Sequence, residues 1–417
     1  MHPIAIVILI FMLLDFLVGL TADVLNLRAI RTRLPEKWTG WYPSEQYERS
    51  QAYLKATTRF GWLTGSYQLL LFLGFWFCGG FAWLDNWVRA LALPPLINGL
   101  VYIGTLVIVK SVLGLPFGLY STFGIEARFG FNRTTWKTYI KDHIKGAVLA
   151  IVLGVPLLSA ILAFFQYAGA NAWWYCWLVT VGFMLVMQYI APAWIMPLFN
   201  RYDPLPEGDL RQAIFDYARR IDFRLDNIFV MDGSKRSTKS NAFFTGFGKN
   251  RRIVLFDTLT EKHTVDELVA ILAHEMGHFK KKHILQNLSI GIVQAGAMFY
   301  ILSLFISYPG LFQAFYVKQV SVYAGLIFFG VIYAPLDNML ALALQAISRR
   351  HEYQADRFAV QTSGDKNAMI DALKKLSVHN LSNLQPHPFY VFLHYSHPPV
   401  LRRIEAIETM AIANGHD

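Results

Sequence analysis

The chain has 417 residues, of which 54% are apolar and only 16% charged, with a mean hydropathy of +0.35; that balance excludes an ordinary soluble domain and indicates a membrane protein. Its formal charge of +10 is assigned first to loops retained on the cytoplasmic side of a bilayer, and no nucleic-acid partner is expected. Two distant cysteines, Cys78 and Cys176, form no C-x-x-C pair, which excludes a disulfide framework and a thiolate zinc site and leaves two small buried hydrophobes.

Crossing a hydrocarbon layer of about 30 Å takes roughly 20 helical residues. Seven stretches qualify, near 3–27, 62–84, 94–120, 146–168, 173–198, 287–309 and 321–346. The first is read as a retained span and not a signal peptide, because it lacks a basic n-region and a small-residue cleavage site and is interrupted by Asp15. Basic residues crowd the link from Arg28 to Arg59 and the link from Arg128 to Lys145, whereas the opposite-side links carry only Arg89 and Lys318. The positive-inside bias then puts the N-terminus outside and segments 199–286 and 348–417 in the cytoplasm. Short non-cytoplasmic loops and the ending IANGHD, without a basic retrieval tail, favour a prokaryotic inner membrane, with the endoplasmic reticulum membrane as the alternative.

With no internal repeat or Gly/Ser linker, the expected fold is an all-α multi-pass membrane protein carrying a small α+β cytoplasmic cap. Its expected parts are 1–198 (transmembrane helices 1–5 with cytoplasmic loops), 199–286 (cap), 287–347 (helices 6–7) and 348–417 (C-terminal cytoplasmic region). Within the spans, Asp15, Lys110 and Asp337 need partners or water, which suits a chamber or a permeation path. Within the cap, NIFVMD (227–232) and RRIVLF (251–256) read as strands joined by a polar, Gly-containing stretch. Thr264 and Glu267 form a capping box, and Leu268, Val269, Ile271 and Leu272 give helical apolar spacing.

That helix carries ILAHEMGHFK (271–280). Residues four apart share one helical face about 6 Å apart, so His274 and His278 can turn imidazoles toward one ion. Glu275, one step round, can take a proton from metal-bound water without ligating the metal. A chance H-E-x-x-H in a chain this long has odds on the order of 1 in 100, so a third ligand is needed. The close third His of metzincins is absent; His283, nine residues from His274, falls about 180° round a continuous helix and is read as an interfacial residue facing away. In SRRHEYQADRFA (348–359), Glu352 and Asp356 sit four apart on one face. Glu352 is assigned as third ligand and Asp356 as the acceptor that fixes a ligating imidazole, with His351, about 100° round from Glu352, as the rival ligand.

Four ordered pieces, SKRSTKSNAFFTGFGKNRRIVLFDTL (234–259), HEMGH (274–278), HEYQADRFA (351–359) and HYSHPPVLRRIEAI (394–407), together with FGFNRTTW (129–136), give a chain that resembles the type I CAAX prenyl proteases, integral-membrane zinc metallopeptidases. The resemblance implies a ring of seven helices around a large water-filled chamber, with one zinc per chain near its cytoplasmic end. It implies His274, His278 and Glu352 as zinc ligands and Glu275 as general base. Asn241 and His397 would engage the substrate backbone or the oxyanion, and Arg403 would brace the site. The chain departs from the pattern at Lys239, where eukaryotic relatives tend to carry a His.

The expected activity is zinc-dependent endopeptidase cleavage by a single displacement with water. The substrate would be a peptide or protein, C-terminally prenylated Cys-a-a-X chains being the family's named ones; a quality-control protease for membrane proteins would use the same chemistry. A protease of the site-two type would bury its motif in an apolar span, whereas VDELVAILAHEMGHFKKKH is amphipathic. A transporter or structural membrane protein with an incidental motif is the rival class, and it predicts no stoichiometric metal.

Overall fold

The computed structural model describes residues 1–31, 33–225, 227–245 and 252–410. Arg251, the first residue of the expected 251–256 strand, and the ending IANGHD therefore lie outside the described residues.

The membrane part begins with α1 (Pro3–Arg28), started by Pro3 and by the His2 side chain accepting the Ile4 N–H. Next come α2 (Ser44–Phe77) and α3 (Gly80–Ala90), bent 61° from one another. The stretch 62–84, expected as one span, is thus broken. Gly79 sits at φ +75°, a left-handed conformation open to glycine at little cost, and a side chain on Gly80 would collide with the Phe75 ring.

Helix α4 (Pro95–Leu119) runs on through a π turn to Glu126; α5 (Trp136–Leu149) and α6 (Val155–Tyr167) are joined by a π turn, as are α7 (Ala172–Ile190) and α8 (Met196–Phe199). The described residues hold six helical runs long and apolar enough to cross a membrane, and up to seven if the bent pair counts as one crossing. Much of their apolar surface is uncovered by protein, Leu70, Ile108, Ile151, Val293 and Met339 among it, an arrangement that is stable where hydrocarbon replaces water. Two of the polar residues expected to need partners have them: Asn338 donates to Asp15 at 2.9 Å and Gln294 to Asp337 at 3.0 Å.

The segment expected as the cap contains β1 (Tyr202–Pro204), α9 (Asp209–Arg220), β2 (Asn227–Met231), β3 (Ala242–Thr245), β4 (Arg252–Phe256), α10 (Asp257–Thr260) and α11 (Val265–Lys280). Strand order is β1-β2-β4-β3, with β2 and β4 parallel and both outer strands antiparallel. The two expected strands are the central pair; β1 and β3 are additional. Ile214, Tyr217, Ile253, Leu255, Leu268, Leu272 and Met276 pack between sheet and helices, joined by Ala359 and Ala372 from beyond the last span.

After α12 (His283–Phe305) and α13 (Pro309–Ala314), the chain enters α14 (Val322–Ser363), a 42-residue helix containing Pro335 and stopped by Gly364 at φ +77°. At 1.5 Å per residue its length is roughly 63 Å, about twice what a bilayer crossing takes, and its C-terminal part packs against the sheet and its helices through Ala359. Then follow α15 (Lys366–His379), α16 (Pro388–His394) and α17 (Val400–Glu408). Trp38, Tyr42 and Tyr47 from the first link pack with Met369, Leu373, Ile404 and Ile407, which fixes α15 and α17 beside the cap.

Candidate active site

Helix α11 starts as its sequence dictates: Thr264 accepts the Glu267 N–H and the Glu267 carboxylate accepts the Thr264 N–H. Glu267 is buried, yet it also takes Lys375 at 2.7 Å and His263 at 3.0 Å, tying α11 to α15. Along its length α11 lies against α14 at a separation set by Gly277. A β-carbon there would stand 3.2 Å from both the Cα and the carbonyl oxygen of Ala355. That close approach brings Glu352 and Asp356 beneath the two motif histidines.

His274 Nε2 is 3.1 Å from His278 Nε2 and 3.6 Å from Glu352 Oε2, while His278 Nε2 is 3.2 Å from Glu352 Oε1. A tetrahedral zinc with ligand bonds near 2.1 Å separates its ligand atoms by about 3.4 Å, so the donor set fits that ion. Glu352 is 3% exposed, and its buried Oε2 has no aligned hydrogen-bond donor, although His397 Nδ1 lies 2.8 Å away. Its cationic neighbour Arg403 stands at 3.4 Å, so a cation bound at this buried oxygen would supply a closer partner.

The next layer is equally specific. Asp356 Oδ1 accepts a hydrogen bond from His274 Nδ1 at 2.8 Å, which leaves Nε2 bare. Arg403 clamps both Asp356 oxygens at 2.9 and 2.6 Å and approaches Glu352 Oε2 at 3.4 Å. Burial alone would lower the Arg403 guanidinium, but the charges of Asp356, Glu352 and Glu275 outweigh it and raise its pKa further. Burial likewise works against protonating His274, and the Asp356 carboxylate overrides it, so this imidazole is raised above its ordinary value. Glu275 is pushed up by loss of solvation, an effect that His274 and His278 partly offset. Its carboxylate has no hydrogen-bond partner among the described residues and is free to meet water or substrate.

His397 is exposed and contacts Glu352. Asn241 is also exposed, at the entrance to β3, with its amide oxygen turned back to the Ala242 N–H at 2.9 Å and its backbone carbonyl accepting from Phe256. Strand β3 is an edge of the sheet. Lys239 faces elsewhere, donating to Glu126 and Tyr53 at 3.0 Å and lying over the Phe131 ring.

Within the site, one expectation is corrected. His283 does not lie on the back of a continuous helix: α11 ends at Lys280, Lys282 turns the chain at φ +59°, and His283 opens α12 with its ring only 2% exposed, against His278 and His351. His351, the rival ligand, is stacked on His283 and outside the donor group of His274, His278 and Glu352. Gly277 and Gln354 are the site residues that sequence reasoning passed over, while His283 was weighed and misplaced; the glycine inside an otherwise helical motif was the one available signal.

Residues 23–201 match the family model described as CAAX prenyl protease N-terminal, five membrane helices, and residues 204–411 match peptidase family M48. The chain is 36% identical over 407 residues to the CAAX prenyl protease 1 homolog of Arabidopsis thaliana, covering 95% of this chain and 96% of that protein. It is 33% identical over 432 residues to the Homo sapiens CAAX prenyl protease 1 homolog, covering 91% and 89%. The crystal structure of S. mikatae Ste24p superposes on it with a TM-score of 0.92 at 31% identity, over 98% of this chain and 100% of that one.

Proposed function

From the premise that the chain belongs to peptidase family M48, as a membrane metalloprotease of the type I CAAX prenyl protease group, we propose that His274, His278 and Glu352 hold one zinc ion and that Glu275 is the general base for peptide hydrolysis. The observation that carries this reading is the convergence of the two Nε2 atoms and the Glu352 carboxylate within 4.8 Å of one another. Zinc held there supplies Lewis acidity, which favours attack by water on a peptide carbonyl.

Glu275 accepts the proton of the attacking water and returns it to the leaving amine. A carboxyl raised by burial is suited to that two-way transfer near neutral pH. His397, exposed beside Glu352, turns an N–H toward the developing negative oxygen of the substrate. Asn241 receives an extended peptide laid along the outer edge of β3. Asp356 and Arg403 hold His274 and Glu352 in place. Water is the nucleophile, so no covalent acyl-enzyme forms.

The bent pair α2 and α3 is read as the seventh crossing, and the helices as enclosing a water-filled chamber, a reading supported by the Asp15–Asn338 and Asp337–Gln294 pairs. The cap faces the cytoplasm and the N-terminus lies outside. The short non-cytoplasmic loops favour a prokaryotic inner membrane, and the eukaryotic relatives make the endoplasmic reticulum the alternative, which imaging of tagged protein decides. The proposed substrates are C-terminally prenylated Cys-a-a-X chains, because the relatives carry that substrate in their names. Equal cleavage of prenylated and bare peptides would favour the quality-control role instead.

Metal analysis and peptide cleavage by wild type and Glu275→Ala test the core of the reading. About one zinc per chain is expected in both proteins, with turnover reduced by on the order of 10²–10⁴-fold or more in the variant. Retained turnover would overturn the base, and no zinc in either protein would overturn the site.

A further inference from the structure

Beside the ligand set lies a group of side chains that the reaction above does not use. His278 Nδ1 is 2.9 Å from His283 Nδ1, and His283 Nε2 is 2.9 Å from Gln354 Oε1. The His283 ring is stacked on His351 with centroids 3.9 Å apart and planes 9° from parallel. A neutral imidazole has one N–H and one bare nitrogen, so two facing nitrogens share a single proton, and its position fixes both tautomers.

The direction of this chain follows from the metal site. His278 Nε2 points toward His274 Nε2 and Glu352 Oε1. To ligate an ion there, Nε2 must be bare and the proton must sit on Nδ1. That proton faces His283 Nδ1, which accepts it and therefore carries its own proton on Nε2. Gln354 Oε1, which can only accept, stands where that second proton points. Were the Gln354 amide turned to donate, the polarity would reverse and His278 Nε2 would be protonated against the metal.

On the reading of the metal site given above, we infer that His283 is a positioning residue that locks His278 into its metal-presenting tautomer, with Gln354 setting the tautomer of His283 in turn. The two ligand imidazoles are thus backed differently. His274 rests on a charged carboxylate, and His278 on a neutral two-membered relay. Helix α14 supplies one ligand, Glu352, and both supports: Asp356 directly and Gln354 through His283. The His351 ring holds the His283 ring in plane for the two hydrogen bonds.

Zinc affinity of the purified full-length protein in detergent, measured by competition with a chromophoric chelator, tests this without relying on turnover. His283→Phe keeps ring volume and stacking but removes the acceptor; it is expected to weaken zinc binding by about 10–100-fold. His283→Gln, whose amide oxygen can accept from His278, is expected to recover most of that loss. Gln354→Leu is expected to weaken binding to a smaller degree in wild type and to add nothing in the His283→Phe background. Unfolding of the metal-free proteins reports folding separately, and His283→Gln carries the test if the Phe variant does not fold. Wild-type affinity in His283→Phe would reduce the ring to packing and overturn the inference, as would a Gln354→Leu effect that adds fully to it. No zinc in the wild type would instead sink the metal site itself.

Discussion

Asp356 has no exposed surface, and its two oxygens serve both nitrogens of the Arg403 clamp and the His274 Nδ1 proton. Removing it strips a support from His274 and leaves the buried Arg403 guanidinium with only the longer contact to Glu352. For Asp356→Ala, zinc affinity is expected to drop by about 10–100-fold, and metal-free stability by about 3–5 kcal/mol. Chelator competition and thermal unfolding measure the two separately. Asp356→Asn keeps an acceptor for His274 but loses the charge facing Arg403, so its unfolding midpoint is expected to fall with a smaller change in affinity. Equal losses of affinity in both variants would show that charge, and not hydrogen bonding, is what Asp356 contributes to the metal.

Helix on helix, the site depends on how near α11 and α14 approach. Gly277→Ala places a methyl 3.2 Å from the Ala355 backbone, which cannot move without shifting the whole helix. A destabilisation of about 1–3 kcal/mol is expected from the overpacking, together with weaker zinc binding as Glu352 moves away from the imidazoles. Gly330→Ala on α14 meets open space, and by removing backbone freedom it is expected to leave stability equal or higher. If the two substitutions behave alike, helix separation does not govern the site. At this scale the sequence was also most readable. The capping box, the apolar spacing of α11 and the i, i+4 pair Glu352 and Asp356 are periodic signals, and each lies where its period put it. The turn at Lys281 and Lys282 carried no such signal, because lysine is a good helix former and no Gly or Pro marks the break; hence the misplacement of His283. Strands β1 and β3, three and four residues long, are too short for alternation to show. The break at Gly79 and Gly80 falls inside a run taken as one span, and the 61° bend there emerges only in the structure.

Across the whole molecule, the cap is joined to the C-terminal helices through a buried polar knot. His263 is lowered to about 4, because burial outweighs the attraction of Glu267, and Lys375 and His379 push it further down. In the unfolded chain this imidazole titrates near 6.5, so between those values the unfolded state binds more protons and the fold loses stability as pH drops. The unfolding midpoint is expected to hold above pH 6.5 and to fall progressively toward pH 4. His263→Gln, which retains a donor for Glu267 but cannot titrate, is expected to show a shallower fall; an identical slope would assign the acid sensitivity to other groups. Helix α14 has a longer reach. Glu352 stands about 25 Å along the axis from Pro335, so pivoting the outer half by about 5° moves that carboxylate by about 2 Å, against a tolerance of about 0.2 Å for a metal bond. On the reading that residues 321–346 cross the bilayer, the rod is a lever whose fulcrum lies in lipid. Tilting is one way a helix accommodates bilayer thickness, so turnover in vesicles is expected to peak at an intermediate acyl length and decline on either side, with no such dependence expected if the lower half of the helix is decoupled from the upper.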